Sequence, residues 1–147
     1  MLVSEVLSGK KIQGVVSART DETVKEALTK LCEHRIGALL VTNDKDEPVG
    51  ILSERDVLWR ASCEPKGFDD HAVGEIMSRD LICGLPDDNI DYVMHVMTQN
   101  RIRHLPIVEN GKVVGLISIG DIIKSQLKRT QVENHMMKDY LHLRGEI

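Results

Sequence analysis

The sequence predicts an α/β fold of the α+β kind, two copies of one β-α-β-β-α unit followed by a further helix. Three observations predict it. The chain repeats itself: Thr23-Val24-Lys25-Glu26-Ala27-Leu28 returns as Asn89-Ile90-Asp91-Tyr92-Val93-Met94 at an offset of 66. Apolar residues stand at helical spacing in some stretches and in short continuous runs between polar turns in others. The composition is globular and aliphatic, 41% hydrophobic but 3% aromatic, with Trp59 the sole tryptophan.

The first copy opens on Val3-Ser4-Glu5-Val6-Leu7, which matches Val73-Gly74-Glu75-Ile76-Met77 at an offset of 70. A short apolar strand follows in each copy, at Val15-Val16 and at Leu81-Ile82. The next segment carries Val24, Ala27, Leu28 and Leu31 in one copy and Ile90, Val93, Met94 and Met97 in the other. That is the i, i+3, i+4, i+7 stripe of an amphipathic helix. Both helices end alike, on His34-Arg35-Ile36 and Asn100-Arg101-Ile102. A hairpin then runs through residues 38–41 and 49–52 in the first copy, and through 105–108 and 114–117 in the second. A second helix covers about Glu54 to Ala61 and about Ile119 to Leu127.

The organisation is therefore a first repeat over residues 1–64, a linker over 65–71 and a second repeat over 72–127, with a C-terminal helical extension over 128–147. The linker carries Pro65 and Gly67. Neither repeat alone buries enough surface, so the halves should dock face to face. In the extension, Val132, Met136, Tyr140 and Leu143 keep a helical spacing, which fits either a helix lying back on the module or a dimer contact.

Composition also excludes function classes. A net charge of −4 and few aromatics argue against a nucleic-acid partner, by duplex or single-strand recognition. No stretch approaches ~18 apolar residues and the amino terminus lacks a signal-like run, so no membrane partner and a cytoplasmic location are expected. Cys32, Cys63 and Cys83 form no Cys-x-x-Cys pair and are expected as buried, reduced thiols. Six histidines show no metal spacing, and neither a phosphate loop nor a nucleophile beside a base occurs. No metal site, no catalytic residue, no catalytic cofactor and no enzymatic activity are expected.

The chemistry concentrates where each hairpin meets its second helix, Gly50-Ile51-Leu52-Ser53-Glu54-Arg55-Asp56 and Gly115-Leu116-Ile117-Ser118-Ile119-Gly120-Asp121. The glycine lets another group approach the strand backbone closely. Ser53 and Ser118 can cap the helices, whose free N–H groups attract an anion. Asp56 and Asp121 can accept both hydroxyls of a ribose. The same Ser-x-x-Asp spacing is close to a capping box, so the pair reads equally as helix starts.

Taken as an ordered, doubled set, residues 3–127 resemble a tandem pair of CBS repeats, a stand-alone Bateman module of the bacterial and archaeal type. The motifs are His-Arg-Ile-Gly-Ala-Leu-Leu-Val before Gly-Ile-Leu-Ser-Glu-Arg-Asp-Val, and Asn-Arg-Ile-Arg-His-Leu-Pro-Ile-Val before Gly-Leu-Ile-Ser-Ile-Gly-Asp-Ile. The resemblance implies two repeats packed about a pseudo-twofold axis that leaves two clefts. It implies a regulatory or sensor module for an adenine nucleotide: AMP first, with ATP, ADP, NAD and S-adenosylmethionine as further ligands. By the same resemblance, Asp56 and Asp121 hold ribose, Ser53 and Ser118 lie near phosphates, and Arg103 and His104 supply phosphate contacts. The backbone around Val16-Ser17 and Ile82-Cys83 meets adenine, and Thr20 reaches the ligand. His104 reads equally as a solvated surface residue.

The copies differ. Arg103-His104 is matched by Gly37-Ala38, Pro106 by Leu40 and Arg55 by Gly120. The clefts are thus chemically unequal; the Asp121 cleft is the better candidate, and Arg55 can serve either. The resemblance also implies a homodimer, joined through an apolar flank of Val24, Leu28, Val57, Ile90, Met94 and Ile122, and an effector protein. The competing function is an oligomerisation and interaction module that binds no ligand.

Overall fold

The computed structural model describes residues 1–10 and 14–143. A short helix α1 (Val3–Ser8) precedes strand β1 (Ser17–Arg19) and helix α2 (Val24–His34). Thr23 starts α2: its hydroxyl accepts the Glu26 N–H, and the Glu26 carboxylate takes the Thr23 N–H, both at 3.1 Å. Strands β2 (Ala38–Thr42) and β3 (Pro48–Ser53) form an antiparallel hairpin that leads straight into α3 (Glu54–Cys63). At its turn Asn43 Oδ1 accepts the N–H groups of Lys45 and Glu47, each at 2.9 Å.

A 3₁₀ turn at Phe68–Asp70 leads to α4 (Val73–Ile76), then to α5 (Ile90–Gln99), capped by the Asn89 side chain. The second hairpin is β4 (His104–Glu109) and β5 (Lys112–Ser118). Its turn residues Asn110 and Gly111 have φ of 52° and 76°, the left-handed pair that an Asn-Gly hairpin uses. Helix α6 (Ile119–Leu143) continues unbroken to the end of the described chain.

The first repeat holds a three-stranded sheet in the order β1-β2-β3, with β1 parallel to β2; the second holds only β4-β5. The strand expected at Leu81-Ile82 reduces to one parallel bridge between Gly84 and Ile107. Proline explains the loss. In the first repeat the Leu40 N–H donates to the Val16 carbonyl. The equivalent donor for Ile82 would be residue 106, and Pro106 has no N–H.

Each repeat has its own aliphatic core, and the short helices are exchanged between them. Val73 and Met77, at α4, complete the first core against Ala18, Val24, Leu39 and Leu52. Val3 and Val6 of α1 complete the second against Ile90, Leu105, Ile107 and Ile122. The segments that the sequence assigned to their own repeats therefore pack on the opposite ones. Backbone bonds repeat the exchange: Val73 N–H donates to Glu22 O (2.8 Å) and Val3 N–H to Asp88 O (2.9 Å). Both motif glycines receive the exchanged chain. A Cβ on Gly50 would lie 2.6 Å from Met77 Sδ, and one on Gly115 2.6 Å from Leu7 Cδ2. The close approach read from these glycines is thus made by the protein itself.

The flank assigned to dimer contact is largely core, since Val24, Val57, Ile90 and Ile122 are buried under the exchanged helices. The three cysteines are exposed rather than buried. Cys32 sits one residue past the buried stripe of α2 and Cys63 ends α3, while Cys83 follows Ile82, the residue that packs inward. Val132, Met136, Tyr140 and Leu143 are each more than half exposed.

Candidate functional site

A cleft of about 600 Å³ opens between the repeats. One wall comes from the second repeat, with His104 at the start of β4, Ser118 at the end of β5 and Asp121 in the first turn of α6. The other wall is Val16 and the segment Arg35 to Ala38 of the first repeat. Arg35 ends α2 in the left-handed conformation (φ 51°), a position that favours glycine, and Arg101 repeats this (φ 53°).

Asp121 is held from two sides. Its Oδ2 accepts the Ser118 N–H at 2.9 Å while Ser118 Oγ accepts the Asp121 N–H at 3.0 Å. Lys10, reaching in from beyond α1, places Nζ 2.9 Å from the same oxygen and donates to Leu116 O at 2.6 Å. Burial raises the pKa of Asp121, but the Ser118 bonds and the Lys10 ammonium outweigh it, leaving the carboxyl below the usual range. The group is thus a fixed anion with a quarter of its side chain exposed to the cleft, suited to accept hydroxyls.

His104 stands between the repeats. A Cβ on Gly37 would lie 3.5 Å from its Nε2 and 3.4 Å from Glu54 Oε1, ordinary contact distances that show how closely the imidazole approaches the first repeat. Burial is the main influence on the imidazole and lowers its pKa, against the pull of Asp121 and Glu54.

The pseudo-equivalent depression is wider, about 820 Å³, and is lined by Arg55, Asp56, Trp59, Arg60, Cys63 and Ile76. Asp56 Oδ2 accepts the Ser53 N–H at 2.9 Å and the Ser53 hydroxyl at 3.1 Å, and the Ser78 hydroxyl donates to Oδ1 at 3.3 Å. Arg55 belongs to this cleft.

The structure therefore brings Asp121, Ser118, His104 and Val16 together, and separately Asp56, Ser53 and Arg55. The remaining candidates lie outside both linings. Arg103 is exposed before β4, its carbonyl taken by the Ile119 N–H. Pro106 is buried in β4 with its carbonyl bonded to Gly84. Ile82 packs on the second core, and Cys83 is exposed with its thiol pushed up by partial burial. The Ser17 carbonyl accepts from Lys30, and Thr20 lines a third depression against α4. Lys10, Arg35, Lys124 and Lys128 were not anticipated. For the last two a signal existed: they follow Asp121 by three and seven residues, one face of a helix.

The family model described as the CBS domain matches residues 3–62 and 73–128. The mitochondrial CBS domain-containing protein CBSX3 of Arabidopsis thaliana is 30% identical over 95% of this chain and 71% of its own length. A putative signal-transduction protein with CBS domains from Burkholderia ambifaria superposes with a TM-score of 0.81 at 34% identity, over 87% of this chain and 95% of that one. The CBS domain pair of protein MJ0100, solved in complex with 5′-methylthioadenosine and S-adenosyl-L-methionine, gives a TM-score of 0.74 at 26% identity. That match covers 88% of this chain and 98% of the other.

Proposed function

The chain belongs to the CBS-domain family, and from that premise we propose that it is a non-catalytic regulatory module whose Asp121 cleft binds an adenosine-containing nucleotide. The observation that carries the reading is Asp121 itself: an ionised carboxylate, fixed by Ser118 at the start of α6 and turned into an inter-repeat cleft. Ribose presents two adjacent hydroxyls that such a carboxylate accepts, and a charged acceptor makes each bond worth roughly 1.5–3 kcal/mol. The complex of the MJ0100 domain pair with adenosine compounds supports the chemistry. Occupancy is read by an effector protein through a homodimer, in the cytoplasm.

Titration of AMP, ADP, ATP, NAD and S-adenosylmethionine by calorimetry tests this. Asp121→Asn should weaken the best ligand by more than tenfold, and Asp56→Asn by less. A nucleotide at ~100 times its Kd should stabilise the chain by about 2.7 kcal/mol. Equal affinity of wild type and Asp121→Asn would reduce the motif to a helix cap. The second reading, an interaction module without ligand, draws on the exposed Leu58, Trp59, Tyr92 and Ile123. It takes over if no adenosine compound raises the melting temperature at millimolar concentration.

A further inference from the structure

The two clefts are built on equivalent backbone, which lets their chemistry be compared position by position. Three residues beyond the aspartate, Lys124 of one cleft stands where the other has Trp59; seven beyond, Lys128 stands where the other has Cys63. The exchanged helices supply Val6 to one and Ile76 to the other. The Asp121 cleft is thus lined by Lys10, Arg35, Lys124 and Lys128 against the single carboxylate of Asp121. The Asp56 cleft has Arg55 and Arg60 against Asp56. In a chain of net charge −4 this concentration of cations is local, not a property of the whole surface. Among the described residues no ion pair is formed by Arg35, Lys124 or Lys128.

We propose that the Asp121 cleft selects the polyphosphate form of its nucleotide, an adenosine di- or triphosphate, over the monophosphate, the nucleoside and the cationic sulfonium. The inference rests on the proposed adenosine site and replaces AMP as its first ligand. Helix geometry gives the reason. With the ribose on Asp121, Lys124 lies about 4.5 Å and Lys128 about 10.5 Å farther along the α6 axis, so successive ammonium groups suit successive phosphates. Exposed lysines attract by screened charge, so each added phosphate gains affinity in low salt and less in high salt. S-adenosylmethionine brings a positive sulfonium to a cationic wall, which disfavours it. A ribose on Asp121 competes with Lys10 for Oδ2.

The test is calorimetry on the full chain with adenosine, AMP, ADP, ATP and S-adenosylmethionine, in wild type, Asp121→Asn and Lys124→Gln/Lys128→Gln, at ~0.05 and ~0.5 M salt. Affinity should climb by about tenfold or more from AMP to ATP in low salt, and the climb should shrink in high salt. The double lysine variant should lose most of the climb, with an unaltered melting temperature as its folding control. Equal affinity for AMP and ATP, with both lost in Asp121→Asn, would overturn the polyphosphate inference and leave the adenosine site standing. Binding of no adenosine compound would overturn both.

Discussion

His104 links the cleft to pH. Its burial between the repeats disfavours the imidazolium, so its pKa in the folded chain lies below the ordinary value near 6.5. The sign follows directly. As pH falls through about 6.5 the unfolded chain takes up the proton first, so the stability contributed by neutral His104 is present above that pH and is lost below it. A bound phosphate reverses the balance, because an anion in the cleft stabilises the imidazolium and raises its pKa. Nucleotide binding should therefore carry proton uptake near pH 6, measured as a dependence of the calorimetric heat on buffer ionisation. A phosphate monoester titrates near pH 6 on its own, so the informative quantity is wild type minus His104→Gln. Identical proton uptake in the two would remove His104 from the phosphate site. Asp121 acts in the same direction at lower pH: its depressed pKa contributes stability above the unfolded carboxylate range, lost as pH falls through the folded value.

The two motif glycines are equivalent in sequence and unequal in surroundings. A Cβ on Gly50 would meet Met77 Sδ at 2.6 Å and the Ser78 carbonyl at 2.7 Å. That carbonyl cannot retreat freely, since it accepts the Ile51 N–H at 2.9 Å. On Gly115 the nearest atoms all belong to the Leu7 side chain, which can rotate away. Gly50→Ala should cost about 2 kcal/mol in urea unfolding, within the usual range for overpacking. Gly115→Ala should stay within about 1 kcal/mol, because alanine also recovers strand propensity. The reverse order would contradict the packing of α4 on β3. The helical stripes, both hairpins and the Ser-x-x-Asp starts were legible because each is a local pattern. The exchange of α1 and α4 was not, since a five-residue apolar match carries no information about which sheet it meets. The missing strand at Leu81-Ile82 was half legible: Pro106 against Leu40 was visible, but its consequence depends on which backbone donor faces the third strand. Lys10 escaped because its approach to Asp121 depends on that same exchange.

Helix α6 joins the cleft to the outer surface. Asp121, Lys124 and Lys128 line the cleft, while Ile123, 47% exposed, points elsewhere around the same turns. Its pseudo-equivalent Leu58 on α3 is 69% exposed, so the two repeats present matching apolar positions about their common axis. Tyr92 and Met94 on α5 add to the exposed apolar surface. A second copy bringing its own Leu58 and Ile123 to this surface would make a self-complementary contact, and a stable one requires about 1,200–2,000 Å² in total. Sedimentation at micromolar concentration should give twice the 16.5 kDa chain, and Leu58→Lys/Ile123→Lys should give the monomer. Since α6 carries both the cleft and Ile123, the two binding events share one element and should be coupled. Coupling is reciprocal: the factor by which nucleotide changes the dimer Kd must equal the factor by which dimerisation changes nucleotide affinity. The first factor comes from sedimentation with and without nucleotide, and the second from calorimetry on wild type and the monomeric double variant. Factors that agree and differ from one would make α6 the lever through which an occupied cleft alters assembly. Factors of one would leave the dimer a passive scaffold, and the signal to an effector would have to leave from the cleft mouth itself.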